Sequence, residues 1–162
     1  MNLIDRSLEQ IDFALRRRFL WQRSRFDALR LAEVLPDLWR QTSASGRYSW
    51  ERISEDMQTF IARASELNEQ IAVSPLLGRD FEIGHTYVFK ITGLLERAEY
   101  LHRRNRAGRF LWSRRGDPLP PVRDLCLLSL EPLIDQYLQG VDAESRDAEL
   151  VRLGGVFLQG GD

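Results

Sequence analysis

The sequence predicts a mainly α-helical fold with a short helix-plus-strand strip at its N-terminus. Three observations carry this. Ile53, Met57, Phe60, Ala64, Leu67 and Ile71 recur at spacings of three and four, the stripe of one long helix. Helical patterns begin again near residues 28, 88, 122 and 143. Only residues 19–23 and 81–83 read as strand or extended chain.

The first helix begins near Asp5 or Ser7, either of which can cap free amides. Leu8, Ile11 and Leu15 form its apolar face, and Arg16, Arg17 and Arg18 stand in its last turn, where cations complement the helix dipole. Residues 19–23 read as a short strand with no sheet to pair with in this chain. A lone strand leaves its own backbone groups unsatisfied, so the rest of the sheet is expected upstream. A helix over 28–39 follows, bent or ended near Pro36. After a loop at 43–46, Ser49 is expected to cap a helix reaching about residue 73, and Ser74, Pro75 and Gly78 end it. Residues 81–83 alternate like a strand until Gly84. A helix over about 88–103 leads into an irregular arginine-rich excursion, closed by Asp117-Pro118 and Pro120-Pro121. An apolar helix over 122–138 holds Leu125, Leu128, Leu133 and Tyr137, and an amphipathic helix over 143–158 comes last. The expected division is a strip of core at 1–26 and a helical unit at 27–162, with a basic insertion at about 97–121.

With 162 residues, 43% hydrophobic and 29% charged, the chain is long enough to bury roughly 70% of its unfolded surface. A net charge of −1 gives no bulk attraction to nucleic acid or acidic membranes. The single cysteine, Cys126, excludes an internal disulfide and a cysteine-rich zinc site, and is expected in the core. With His85 and His102 as the only histidines, no metal centre is expected. No apolar run approaches the ~20 residues of a membrane helix, and the first residues lack a signal-peptide pattern, so a reducing cytoplasm is the expected location. The basic residues are 22 arginines and Lys90 alone. Seven arginines (97, 103, 104, 106, 109, 114 and 115) against Glu99 make residues 97–115 +6, and the remainder carries −7.

Met1-Asn2-Leu3-Ile4-Asp5-Arg6-Ser7, followed by Ala14-Leu15-Arg16-Arg17-Arg18-Phe19, resembles the MNxxDRS and ALRRRF patterns of McrB-type AAA+ NTPases, the GTPase subunits of 5-methylcytosine-specific restriction systems. Glu66-Leu67-Asn68 and residues 77–87, ending Phe81-Glu82-Ile83-Gly84-His85-Thr86-Tyr87, resemble that family's lid segment with its LNxxI and FxIGHSY patterns. Residues 130–137 are similar to a later lid helix. The resemblance spans nearly the whole chain in order. Thr86 stands where serine is usual, and Val88 interrupts the usual aromatic after the tyrosine. No family role is carried onto the basic excursion.

The resemblance implies the helical lid subdomain of an AAA+ module with a short remnant of the α/β core, as the C-terminal part of a GTPase or ATPase. Nucleotide hydrolysis is mainly the positioning of a water and the stabilisation of phosphoryl charge. Asn2 matches the sensor-1 residue, whose amide can donate and accept at once. Asp5 and Arg6 match the signature loop; capping by Asp5 stays compatible with that role. Arg17 and Arg18 match arginine fingers acting on a neighbouring subunit's nucleotide, with Arg16 as the alternative. A finger is arginine because its fork stays charged and grips two phosphate oxygens. Gly84, His85 and Thr86 match the lid segment near the nucleotide, and Arg79 is a weaker candidate for a cationic lid residue. The intact protein is expected to bind GTP or ATP with Mg2+, to form a homo-oligomeric ring, to work with a McrC-like nuclease and to meet DNA indirectly.

No GxxxxGK[ST] phosphate loop occurs in the sequence. The chain alone is therefore expected to be inactive and to hold no nucleotide. The alternative reading is a non-enzymatic nucleic-acid-binding or helical interaction module using residues 97–115. There Arg103, Arg104 and Arg106 would contact the backbone, and Tyr100, Phe110 and Trp112 would stack on bases.

Overall fold

The computed structural model describes residues 26–43, 49–101 and 109–159, and all of its regular elements are helical. Helix α1 (Ala28–Thr42) starts where Asp27 is extended and its Oδ1 accepts from the amides of Leu29 (2.9 Å) and Arg30 (3.1 Å). It buries Leu31, Leu35 and Trp39. The helix passes through Pro36 rather than stopping there. The carbonyl that proline leaves unpaired belongs to Ala32, which is exposed, so water can take the missing donor's place.

Helix α2 (Trp50–Val73) buries the whole predicted stripe from Ile53 to Ile71. Ser49 stands at the cap position without a cap bond. Its hydroxyl instead serves Glu51, whose carboxyl it holds below the usual range. The helix ends where the Gly78 amide returns to the Ile71 carbonyl at 3.1 Å, with Gly78 at φ 103°, a conformation that favours glycine. Helix α3 (His85–Leu101) packs on α1, and α6 (Ala143–Gln159) packs on α2. The core thus lies between helices whose sequence neighbours are not always their spatial ones.

The predicted helix over 122–138 is three joined pieces: α4 (Pro120–Leu125), a π-helical turn (Cys126–Leu130) and α5 (Glu131–Tyr137). The wide turn precedes Pro132, whose ring would clash with the carbonyl four residues back and which has no N–H to offer it. The Glu131 amide bonds Cys126, five residues back, instead. The extra residue shifts the register, so Leu128, expected on the apolar face, is 70% exposed, while Leu125, Leu130 and Leu133 are buried.

The described part of the arginine-rich excursion contributes to the core. Phe110, Leu111 and Trp112 are buried, and Trp112 is only 4% exposed. The Trp112 ring meets Phe60, which meets Phe157 edge-on, and the indole N–H donates to the Leu158 carbonyl at 3.3 Å. The buried Asp56 carboxylate of α2 accepts from the amides of Phe110 and Leu111. An antiparallel bridge joins Trp112 to Pro118, the only β pairing among the described residues. No helix among the described residues is long and apolar enough to cross a membrane.

A polar latch closes the other end of α2. Ser74 Oγ donates to Glu149 Oε1 at 2.6 Å, and Arg152 grips both Glu149 oxygens at 2.7 and 2.8 Å while reaching Gln70 Oε1 at 2.8 Å. Arg152, together with Ser74, holds the Glu149 carboxyl below its usual range against the opposing pull of burial.

Two outcomes follow from this packing. Trp112→Ala is expected to lose about 3–5 kcal/mol in urea unfolding, as a core aromatic does; a peripheral insertion would lose under about 0.5 kcal/mol. A carboxyl lowered in the folded state contributes stability above its unfolded pKa, and that contribution fades as pH falls through the lowered value. The stability gap between wild type and Arg152→Ala is therefore widest near neutral pH and closes on acidification, measurable by urea midpoints across pH.

Candidate functional site

Asn68 sits one residue past Leu67 on the buried face of α2, where an amide needs partners. It finds them on another segment. Its Oδ1 accepts from the Ile83 amide at 2.6 Å, and its Nδ2 donates to the Ile83 carbonyl at 3.3 Å and to the Ala64 carbonyl at 3.2 Å. One side chain thus satisfies both backbone groups of Ile83, as a neighbouring strand would. Residues 81–83, expected as a strand or extended segment, form the end of a 3-10 turn (Arg79–Phe81) and an extended step held by Asn68, with no strand partner.

With Ile83 fixed, the next residues face the start of α1. His85 Nε2 lies 2.9 Å from the Asp27 amide nitrogen and 3.1 Å from its carbonyl oxygen. The ring can accept from one or donate to the other, so it holds that residue in either tautomer. Its ring stacks on Phe26 at 5.3 Å and on Phe89 at 6.2 Å, and Glu82 Oε2 accepts from the Phe26 amide at 3.4 Å. The segment 82–85 therefore grips Phe26 and Asp27, which stand on either side of the boundary expected between the N-terminal strip and the helical unit.

Gly84 lies outside the left-handed region and meets nothing within 4 Å where a side chain would begin. The fold itself does not demand glycine there. Thr86 is exposed in the first turn of α3. Arg79 is exposed on the 3-10 turn. Lys90 Nζ lies 4.6 Å above the Tyr87 ring and donates to Ser129 Oγ at 3.2 Å, tying α3 to the π-helical turn. Phe81 packs against Tyr137 with the rings tilted and 5.1 Å apart, and burial, with Tyr87 nearby, pushes the Tyr137 hydroxyl pKa up.

Asn2, Asp5, Arg6, Arg16, Arg17 and Arg18 lie outside the described residues, as does the strand expected at 19–23. So do His102, Arg103, Arg104, Arg106 and the side chain of Tyr100. Gly84, His85 and Thr86 are consecutive and lie at the start of α3. Phe110 and Trp112, expected to stack on bases, are spent in the core and have no free faces to offer. Cys126 is buried as expected. Burial, then the Glu131 carboxylate that accepts its S–H, pushes the thiol up to about 12, so it stays protonated and unreactive. Among the described residues, no group of three or more His, Cys, Asp or Glu side chains gathers as a metal site.

Sequence reading gave Asn68 no contact and overlooked Asp27 and Glu82. A polar amide inside an otherwise apolar helical stripe was the available signal for Asn68. Nothing local pointed to Asp27 beyond its capping position.

Asn68→Ala is expected to lose about 1–3 kcal/mol, because it orphans buried backbone groups, and to abolish hydrogen-exchange protection at the Ile83 amide. His85→Ala is expected to keep that protection while releasing Asp27, read from the same exchange experiment. No family model, curated protein or solved structure matches the chain.

Proposed function

We propose that the chain supplies the helical lid, together with the sensor and arginine-finger strip, to a McrB-like AAA+ NTPase that drives a DNA restriction complex. The observation that carries this reading is the Asn68 clamp. It joins the two stretches with the lid-like sequence patterns, Glu66-Leu67-Asn68 and the segment ending at Tyr87, through the backbone of Ile83. The clamp in turn seats His85 on Asp27, next to the strip that carries the sensor-like and finger-like residues.

Two further features support it. Gly84 is free of any steric or conformational need for glycine, which suits a backbone approached closely by a ligand. Helix α3 begins at His85 and its Tyr87 amide bonds the Gly84 carbonyl at 3.1 Å, so the amides of His85 and Thr86 and the positive end of a helix dipole lie at this point, a setting that favours phosphate. In this reading Asn2 orients the attacking water, and Asp5 and Arg6 shape the loop behind it. Arg17 and Arg18 reach the nucleotide of the next subunit, where they neutralise charge on the transferring phosphoryl group. GTP or ATP with Mg2+ is held by a phosphate loop outside these 162 residues, in a ring that engages a McrC-like nuclease.

The test is nucleotide titration and turnover. The 162-residue chain alone is expected neither to bind Mg-GTP or Mg-ATP tightly nor to hydrolyse it. Fused behind a McrB-type phosphate-loop core, it is expected to restore turnover, and Arg17→Ala or Arg18→Ala to lower that turnover by about 10³-fold. Tight binding with turnover by the chain alone, or a fusion indifferent to both arginines, would contradict the proposal.

A further inference from the structure

Six of the described arginines stand beside an acid, while Arg79, Arg97 and Arg123 are exposed, as are the two at positions 114 and 115. Arg30, Arg40, Arg63, Arg109, Arg146 and Arg152 each lie within 4 Å of a carboxylate. Arg114 and Arg115 do not pair with any acidic side chain among the described residues, and both are exposed. They occupy the tip of a turn built with unusual thoroughness for a surface loop. The Ser113 amide donates to the Asp117 carbonyl at 2.8 Å, and the Gly116 amide to the Ser113 carbonyl at 3.0 Å. Ser113 Oγ accepts from the amides of Arg115 and Asp117, both at 3.1 Å, and donates to Asp117 Oδ2 at 2.8 Å. Gly116 takes φ 85°, the left-handed conformation the turn needs.

Below the tip, the Leu119 amide donates to the Leu111 carbonyl at 2.8 Å, and Leu111 and Trp112 are fixed in the core. The Asp56 carboxylate holds the incoming strand of the turn through two amides. The tip is thus rigid, rooted in the core, and shows solvent two guanidinium groups. Its one acid, Asp117, accepts from the Ser113 hydroxyl, and two cations stand against that single anion.

We infer that the 113–117 turn is a docking tip for the phosphate backbone of nucleic acid, gripped by Arg114 and Arg115. Guanidinium forks match phosphate oxygens bidentately, and a fixed turn spares the ordering entropy a mobile loop would lose on binding. With Phe110 and Trp112 buried, no described aromatic beside the tip is free to stack on bases, so the contact reads charge and not sequence. This inference does not rest on the NTPase proposal and can stand or fall separately.

The test is fluorescence anisotropy of the full chain with a labelled mixed-sequence 20-base-pair duplex over a salt series. Wild type is expected to bind at low salt. Arg114→Ala/Arg115→Ala is expected to bind at least 10-fold more weakly and to lower the slope of log affinity against log salt by about 1.8, the release of two phosphate contacts. Arg30→Ala/Arg40→Ala removes the same charge elsewhere and is expected to bind as wild type, with circular dichroism confirming that both variants fold. No binding at low salt, an unchanged slope in the tip variant, or an equal loss in the control variant would each overturn the inference. Polyglutamate displacing the duplex at equal charge concentration would overturn it too, since the tip would then prefer no phosphate.

Discussion

The arrangement of the site depends on one buried amide. Asn68 stands on a helix that otherwise buries only carbon on that face at its level, and it is satisfied because Ile83 lends it both an N–H and a C=O. An extended residue far from any strand would leave those two groups unpaired, and burying them unpaired is expensive. The clamp removes that penalty from both sides at once. It also sets the position of everything after it: Gly84, the start of α3 and the His85 ring all follow within two residues. The grip on Asp27 and Phe26 is thereby fixed from the middle of α2, more than forty residues away in sequence.

A second buried polar group organises the opposite part of the molecule in the same manner. Asp56 is as buried as the leucines around it, yet it is paired with two amides and with Arg109. Its partners are the first residues of the turn that carries Arg114 and Arg115. Helix α2 therefore fixes two separate loops with two polar side chains, Asp56 and Asn68, twelve positions apart. The Glu149 latch at its C-terminal end adds a third anchor, to α6. A helix whose apolar stripe supplies the core also supplies, through its few buried polar residues, the registration of the loops around it.

Much of this was legible in the sequence, and the failures share a cause. The stripe from Ile53 to Ile71 is periodic and local, so it survives folding intact. The turn at Gly78 and the ends of the last helix are likewise local signals. Leu128 was misplaced because a π-helical turn shifts the register, and that turn answers Pro132, two residues beyond its end. The alternation at 81–83 allowed a strand or an extended segment, because alternation says nothing about which partner satisfies the backbone; here it is the Asn68 side chain. Phe110 and Trp112 read as free stacking rings because the charge around them hid their burial, which depends on contacts with α2 and α6. Cys126 was placed correctly from its neighbours alone. Asn68 and His85 each make their contacts across more than a dozen residues of sequence, which no local pattern discloses.

The claim at the centre of this account is that Gly84, His85 and Thr86 face a nucleotide in the assembled protein. Hydrogen exchange at the amides of residues 84–87 tests it most directly, measured in an assembly that includes the phosphate-loop core, with and without a non-hydrolysable nucleotide. The account predicts that nucleotide slows exchange at these amides while the Ile83 amide, already held by Asn68, stays unchanged. Exchange at residues 84–87 that is indifferent to bound nucleotide would contradict it.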